Sequence, residues 1–294
     1  MEKFFSKYRF LDQTVKGVGQ IMLQENRATG LFFLAGLAVG SWQCALAALM
    51  ASAVGAITAK TLKFKQEEID AGLYGFSPAL VAVAMLFLYK DTTLIWGLAV
   101  AGSVLAAIIQ HVFIRIKFPA YTFPFILVAW FFVFFINKYA SFEPSLLIQQ
   151  AYQHSPLDSI FMVTNGFGEV IFQAKPLSGL LFFVGVMVSS PVAALFALFA
   201  SMLGAVVASG AGQDPLQIQM GLFGFNTVLT AIVFAGKTKR DALWVFTGTV
   251  ITILIHLFLV NSQLMDAVGG VFTFPFVAGT WLTLLLQRVL NVEL

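Results

Sequence analysis

The sequence has few charged side chains and only one cysteine. Asp, Glu, Lys and Arg together make up 11% of its 294 residues, whereas 59% are hydrophobic and the mean hydropathy is +0.89. So little charge cannot cover the surface of a soluble fold of this length, which excludes an ordinary globular domain and indicates a protein that lies in lipid. The one cysteine, Cys44, has no partner for an intrachain disulfide, and we expect a small core residue there.

Acidic residues are almost missing from the apolar segments. Apart from Glu169, no Asp or Glu has to lie deep in the membrane, and no ladder of Asp, Glu or His is present that would relay protons or hold sodium. The chain also lacks a full Gly-x4-Gly-Lys-Ser/Thr phosphate loop and any group of His, Cys and Asp at metal-ligand spacing. We therefore expect no enzyme, no cofactor and no metal site, but a passage for a small neutral solute that moves down its gradient.

Ten apolar runs fill the chain between short polar segments. Each is roughly 15 to 22 residues long, which favours membrane helices over barrel strands, whose residues alternate in polarity. Two further segments, residues 4–23 and 158–172, are amphipathic and interrupted by glycine, and we interpret them as helices that enter the bilayer only partway. The predicted fold is an all-α polytopic membrane protein with ten transmembrane helices and two re-entrant half-helices.

The second half of the chain repeats the first. Gly72-Leu-Tyr-Gly-Phe and Gly221-Leu-Phe-Gly-Phe lie 149 positions apart (221 − 72). A Thr-Phe-Pro-Phe segment also occurs in both halves, with an offset of 151. One duplication therefore covers nearly the whole chain. We expect repeats over residues 1–140 and 158–294, joined by an extramembrane linker over residues 141–157.

Each repeat contains five predicted spans, an odd number, so the second repeat has to enter the membrane from the opposite side. With a cytoplasmic N-terminus, all of the 17 lysines and arginines except Lys90, Lys138 and Lys175 fall in inside segments, as the positive-inside rule requires. No cleavable signal is visible, and we expect the first helix to direct insertion. These features predict a multi-pass protein of the cell (inner) membrane with both termini cytoplasmic, in contact with lipid and not with nucleic acid.

Inverted repeats with broken helices hold their solute site where the two repeats meet, near the middle of the bilayer. A helix that stops partway leaves its last carbonyl oxygens without partners inside the helix. We expect such ends after Gln20 and Glu169, which occupy equivalent positions, so that each end presents a row of acceptors to a passage. Their side chains would add an amide in the first half and a carboxyl group in the second.

Three features occur in order along the chain. They are the doubled Gly-Leu-Tyr/Phe-Gly-Phe motif, the run Pro176-Leu-Ser-Gly179 followed by Ser189-Ser-Pro191, and the paired Thr-Phe-Pro-Phe segments. Together they resemble the urea transporter family of facilitative channels, in particular its bacterial-type members, over nearly the whole length. The resemblance implies a narrow slot between the halves, through which urea or a close neutral analogue passes, and a homotrimer with one pore in each subunit.

The resemblance also implies roles for individual residues. It implies oxygen ladders at Gln20 and Glu169 and a central constriction at Thr122 and Thr273. The walls of the slot that it implies are Ile21, Leu23, Phe76, Leu80, Val170, Phe172, Phe225 and Leu229.

Some residues leave alternatives open. Arg27 and Lys175 stand where the family usually has a proline and an asparagine, so the charge at the mouth of the passage differs. A channel for ammonia or short amides would use the same slot, and a non-transporting membrane scaffold is the alternative from another class.

Glu169 has a second interpretation, as a helix cap or an ion-pair partner of Lys175. His111 and His256 are not equivalent under the repeat, so we interpret both as hydrogen-bonded core residues.

Overall fold

The computed structural model describes residues 7–151 and 157–292, and the regular structure within them is helical apart from one isolated bridge between Tyr89 and Pro144. The start of the expected opening segment, with its first basic residue, lies outside the described residues, as do residues 152–156 of the expected linker and residues 293–294. The helices of the first half are α1 Arg9–Gly19, α2 Arg27–Gly40, α3 Trp42–Thr61, α4 Gln66–Asp70, α5 Phe76–Leu88, α6 Thr93–Arg115 and α7 Phe123–Tyr139. The helices that follow are α8 Leu146–Ala151, α9 Asp158–Glu169, α10 Pro176–Ser189, α11 Pro191–Gly210, α12 Pro215–Gln219, α13 Phe225–Phe234, α14 Lys239–Ser262 and α15 Phe274–Val292.

Among the described residues, four helices are long and apolar enough to cross a membrane by themselves. These are α3, α6, α11 and α14, with 20 to 24 residues each. Six further apolar helices are shorter: five have 10 to 17 residues, and α15 has 19. At about 1.5 Å per residue, the six are shorter than the roughly 30 Å of a hydrocarbon core. The chain is therefore a helical membrane protein in which many apolar helices begin or end at a turn or an extended stretch.

Polar side chains just before several helices explain where those helices begin. The Asn26 side chain accepts hydrogen bonds from the backbone N–H groups of Ala28 and Thr29 at the start of α2. Ser41 caps α3 in the same way, and Ser190 caps α11 at the equivalent position. Such caps satisfy N–H groups that have no partner within the helix. Because each serine also ends the preceding helix, one extended residue makes the tight corner between two apolar helices.

The two halves contact each other through pairs of hydrogen bonds. In each pair, the donor of one bond is the repeat equivalent of the donor of the other, and so are the acceptors. The Thr29 hydroxyl of α2 donates to the carbonyl oxygen of Gly185 in α10 at 2.7 Å, and the Ser178 hydroxyl of α10 donates to that of Gly36 in α2 at 2.8 Å. Thr29 corresponds to Ser178, and Gly36 to Gly185, under the same sequence offset. Because the start of each helix contacts the end of the other, α2 and α10 pack antiparallel.

A second set of reciprocal contacts surrounds the Thr-Phe-Pro-Phe segments. The indole N–H of Trp130 in α7 donates to the Gly270 carbonyl at 3.0 Å, and the indole N–H of Trp281 in α15 donates to the Pro119 carbonyl at 2.8 Å. Trp130 corresponds to Trp281, and Pro119 to Gly270, under the offset of 151. A two-fold relation between similar halves produces reciprocal contacts of this kind.

One glycine in each half allows the short helices α1 and α9 to approach their neighbours. A Cβ atom on Gly30 would lie 2.0 Å from the Val15 carbonyl oxygen, and one on Gly179 would lie 2.3 Å from the Thr164 carbonyl oxygen. Packed atoms do not tolerate such distances, so a side chain at either glycine would push the two helices apart. The glycines therefore hold α1 against α2 and α9 against α10.

We predict that Gly30→Ala destabilises the protein, because the added methyl group would overlap the backbone of α1. Gly97→Ala is the matched control, since Gly97 lies in α6 with nothing within 4 Å of the place that a Cβ would take. Overpacking costs about 1–3 kcal/mol, so the thermal unfolding midpoint of the purified protein in detergent should fall by several degrees for Gly30→Ala only. Equal midpoints for the two variants would contradict this packing.

Candidate functional site

Helices α1 and α9 stop at the same kind of turn. Helix α1 ends at Gly19, and a short 3-10 turn, Gln20–Met22, leads to Leu23; helix α9 ends at Glu169, and a similar turn leads to Phe172. Leu23 and Phe172 have φ angles of 60° and 57°, a left-handed conformation that residues other than glycine rarely adopt. This left-handed residue turns the chain away from the helix axis in each half.

Most carbonyl oxygens at these two helix ends are hydrogen-bonded by the residues that follow. The Gln24 side chain donates to the Met22 carbonyl at 2.9 Å, and its backbone N–H donates to the Gly19 carbonyl at 3.2 Å. Gln173 makes the two equivalent bonds in the second half, at 3.1 and 3.0 Å. The chain therefore folds back and takes up part of the expected row of acceptors in each half. Among the described residues, no hydrogen bond reaches the carbonyl oxygens of the equivalent residues Ile21 and Val170, or those of the left-handed residues Leu23 and Phe172.

The side chains at the two helix ends differ in their contacts. Gln20 is half-buried, and its Nε2 donates to the Ala71 carbonyl at 2.9 Å. Glu169 is also half-buried, and its Oε1 is shielded from solvent without a hydrogen-bond partner. The interpretation of Glu169 as a partner of Lys175 is wrong, because the Lys175 ammonium group donates instead to the Val39 carbonyl at 3.0 Å. Within the part of the chain that the structure describes, no group therefore satisfies Oε1 of this carboxyl group.

A cavity of about 320 Å³ lies beside Glu169. Its lining includes several phenylalanines and the consecutive residues 269–273. The predicted site residues that line it are Glu169, Val170, Phe172, Phe225 and Thr273. Other lining residues that bear on its chemistry are Phe223, Phe272, His256, Gln217 and Asp266. A carboxyl group among phenylalanine rings makes a surface suited to a flat molecule with N–H donors at its edge.

The two halves of the chain meet at Thr273. The hydroxyl oxygens of Thr122 and Thr273 lie 2.7 Å apart, and each residue is only 3% exposed. One hydroxyl donates to the other, so one hydroxyl proton of the pair remains available for a further bond. The structure thus brings together the two threonines predicted for the constriction, which are 151 residues apart in sequence.

The remaining predicted residues do not line this cavity. Ile21, Phe76, Leu80 and Leu229 are buried in the main hydrophobic core, to which both halves contribute. Leu23 is the most exposed of the predicted residues, at 36%. Five of the six predicted second-half residues, all but Leu229, therefore line one cavity, whereas none of the predicted first-half residues lines it.

His256 is a lining residue that the sequence analysis missed. Its ring lies 5.4 Å from the rings of both Phe223 and Phe225, and its Nδ1 is buried without a hydrogen-bond partner. The expectation of a hydrogen-bonded histidine is wrong for Nδ1 of this residue, whereas Nδ1 of His111 lies 2.9 Å from the Tyr74 hydroxyl. Since Tyr74 and Phe223 are repeat equivalents, each half holds an imidazole beside the same aromatic position.

The sequence offset hid this relation because the two histidines differ by one helical turn. The first-half equivalent of His256 is Ala107, and His111 lies four residues later in α6. Residues four apart share one face of a helix. A search for repeat equivalents that allows a shift of one turn would find the pair.

Charged side chains around helix α1 are paired with one another. Arg9 donates to the Asp70 carboxylate, with Nε 2.8 Å from Oδ1, and this guanidinium holds the pKa of Asp70 well below its usual range. Asp12 in α1 lies 2.9 Å from Nε of Arg27 and 3.6 Å from Nζ of Lys16. Arg27, which departs from the family pattern, is thus compensated by an acidic residue of the neighbouring helix.

Comparison with known proteins gives a match over almost the whole chain. A family model described as the urea transporter family matches residues 11–288. Urea transporter 1 of Rattus norvegicus is 26% identical over 243 residues, which is 78% of this chain and 63% of the rat protein, less than two thirds of its length. Urea transporter 1 of Capra hircus is 26% identical over 304 residues, or 95% of this chain and 77% of the goat protein. The protein of the same name from Ovis aries matches to the same extent.

We predict that a cysteine placed in this cavity reacts with a small charged thiol reagent. The native Cys44 is fully buried, so the background reaction should be slow. Val260→Cys puts a thiol in the cavity wall, whereas Val245→Cys puts one in the core of the same helix, α14, as the matched control. Mass spectrometry of the intact protein should show rapid labelling of Val260→Cys only. Labelling of Val260→Cys as slow as that of Val245→Cys would mean that the cavity is not open to water.

Proposed function

This chain belongs to the urea transporter family, and from that membership and the geometry of the site we propose that it conducts urea passively across the membrane. The resemblance drawn from the sequence motifs is confirmed, and the family is one of transporters and not of enzymes. One observation carries the proposal beyond membership. A carboxyl group that has no ion-pair partner among the described residues lies in a phenylalanine-walled cavity, and that cavity reaches the hydrogen-bonded pair of Thr122 and Thr273.

Urea suits a cavity of this kind. It is flat and carries N–H donors along its edges, so aromatic rings cover its faces while oxygen acceptors replace the water that it loses. In the proposed path the acceptors are the Glu169 carboxyl group, the free carbonyl oxygens of Ile21 and Val170, and the hydroxyl groups of the threonine pair. Exchange of one hydrogen bond for the next keeps the barrier low, and weak binding at each step lets the molecule leave.

We assign the other predicted residues to the same path. Gln20 takes the place of Glu169 in the first half, and the two threonines form the constriction. Support for a path between the halves comes from Phe172, whose ring lies 5.3 Å from that of Phe87 and 6.2 Å from that of Phe125, both in the first half. The proposed walls are Ile21, Leu23, Phe76, Leu80, Val170, Phe172, Phe225 and Leu229.

We also propose an architecture of ten membrane-crossing helices in two inverted repeats, residues 1–140 and 158–294, with a linker over residues 141–157. The reciprocal contacts and the antiparallel packing of α2 and α10 support it, because a two-fold axis between antiparallel membrane helices lies in the membrane plane. Helices α1 and α9 enter the bilayer only partway. The ten proposed spans are α2, α3, α5, α6, α7, α10, α11, α13, α14 and α15.

The asymmetry of basic residues supports a cell (inner) membrane location with both termini cytoplasmic. In this orientation the linker and the cavity beside Glu169 face outward. A homotrimer in which each subunit has its own pore rests on family membership alone.

A channel for ammonia or short amides is the second candidate. His256 favours it, because an imidazole without a partner at Nδ1 stands in the wall of the cavity. No observation of comparable weight favours a non-transporting membrane scaffold.

We predict that vesicles containing the purified protein take up urea faster than empty vesicles, and that acetamide and glycerol pass more slowly. Stopped-flow light scattering of vesicle shrinkage with urea, acetamide, ammonia and glycerol measures this order. Faster passage of ammonia or acetamide than of urea would favour the second candidate. No difference from empty vesicles for any solute would contradict transport and favour the scaffold.

We predict that Thr122→Val and Thr273→Val each slow urea flux without unfolding the protein, because each removes a hydroxyl group from the constriction. The loss of one hydrogen bond of about 1 kcal/mol corresponds to roughly a five-fold slower rate. Thr283→Val is the matched control, since its buried hydroxyl bonds only to the Gly279 carbonyl of its own helix, at 2.7 Å. Equal flux in folded Thr122→Val and wild-type protein would remove the threonine pair from the path.

A further inference from the structure

The cavity beside Glu169 has an acidic lining. Its charged residues are Glu169 and Asp266, and none of its described lining residues is Lys or Arg. His256 is the other titratable side chain in that lining. Among the described residues, the ion pairs of the protein do not include Glu169. No basic side chain of the described residues is therefore in place to compensate a negative charge on this carboxyl group.

The equivalent helix end in the first half has no carboxyl group. Gln20 replaces the carboxyl group with a neutral amide, and its Nε2 is already bonded to the Ala71 carbonyl. The cations Lys16 and Arg27 stand near that end of α1, with side chains 17% and 29% exposed. Both cations lie within 4 Å of the Asp12 carboxylate, so among the described residues this end of the proposed path has no unpaired carboxyl group to attract a cationic ligand.

The walls of the acidic cavity add a second kind of attraction for a flat cation. Phe172, Phe225 and Phe272 belong to the lining, and the rings of Phe172 and Phe272 lie 6.0 Å apart in an edge-to-face arrangement. The faces of aromatic rings attract cations, and a carboxylate binds a fork of parallel N–H groups more strongly than it binds a neutral donor. A charged carboxylate that is partly shielded from water gains most from a ligand that supplies both the charge and the donors.

We infer that this cavity binds small planar organic cations of the guanidinium class, and that such a cation blocks the passage from the Glu169 side. Guanidinium is flat like urea, has N–H donors along its edges and carries a positive charge. It should not pass, because leaving Glu169 would carry an uncompensated charge past the buried Leu80, Leu229 and threonine pair. The block rests on the proposed function, whereas the binding does not require transport.

Binding is tested by saturation-transfer difference NMR of the methyl signal of methylguanidinium, mixed with the purified protein in detergent. We expect a signal with the wild-type protein, and we expect added guanidinium chloride, but not an equal concentration of sodium chloride, to reduce it. Glu169→Gln, which installs the first-half side chain, should abolish the signal. Asp214→Asn removes one acidic charge outside the cavity and keeps an acceptor at the start of α12, so its signal should persist.

The block is tested by urea flux into vesicles with guanidinium chloride added outside. Flux should fall to about half when guanidinium equals its dissociation constant, in wild-type and Asp214→Asn protein but not in Glu169→Gln, each compared with its own flux without guanidinium. Entry of guanidinium into the vesicles, or equal inhibition by sodium chloride, would overturn the block. Absence of an NMR signal with wild-type protein, or an undiminished signal with Glu169→Gln, would overturn the site. If urea itself does not pass, the proposed function fails and the NMR result alone decides the binding site.

Discussion

A helix that ends inside a membrane needs hydrogen bonds for its last carbonyl oxygens, because no water is present in hydrocarbon to supply them. The proposed path depends on how α1 and α9, which we propose end partway through the bilayer, meet that requirement. Each helix ends before a left-handed residue, Leu23 or Phe172, and the glutamine that follows folds back onto the freed oxygens. A few carbonyl oxygens and one polar side chain remain at each turn, and in the proposed path these groups are what the fold offers to a solute.

The ends of α1 and α9 have similar backbone turns but different side chains, so the two halves offer different polar groups. Glu169 corresponds to Gln20, and His256 corresponds to Ala107, so the carboxyl group and the imidazole of the cavity both belong to the second half. In the first half the charges around the end of α1 compensate one another instead, with Asp12 between two cations. The two ends of the proposed path therefore differ in charge although their backbones turn alike.

Much of the helix order was predictable from sequence, because the repeat offset and the glycine-rich motifs mark equivalent starts such as Phe76 and Phe225. The resemblance to the family implied that Thr122 and Thr273 lie together between the halves, and their hydroxyl oxygens are 2.7 Å apart. The lengths of the short helices did not follow, because hydropathy extends across turns that glycine and proline impose. The hydrogen bonds from Gln24 and Gln173 were also not predictable from sequence. Each side chain can fold back only because the residue before it has a left-handed conformation. The position of His256 was missed because its counterpart lies one helical turn away.

The path proposed between the two halves is tested most directly by closing it with a covalent bond. In the double variant Thr122→Cys and Thr273→Cys, the sulfur atoms take the places of hydroxyl groups that lie 2.7 Å apart, and the native Cys44 stays buried. Disulfide bonds span about 2 Å between sulfurs, so oxidation should join the pair with little movement. Urea flux through vesicles should fall when the disulfide forms and return on reduction. A complete disulfide, shown by mass spectrometry, with unchanged urea flux would contradict a path at this place.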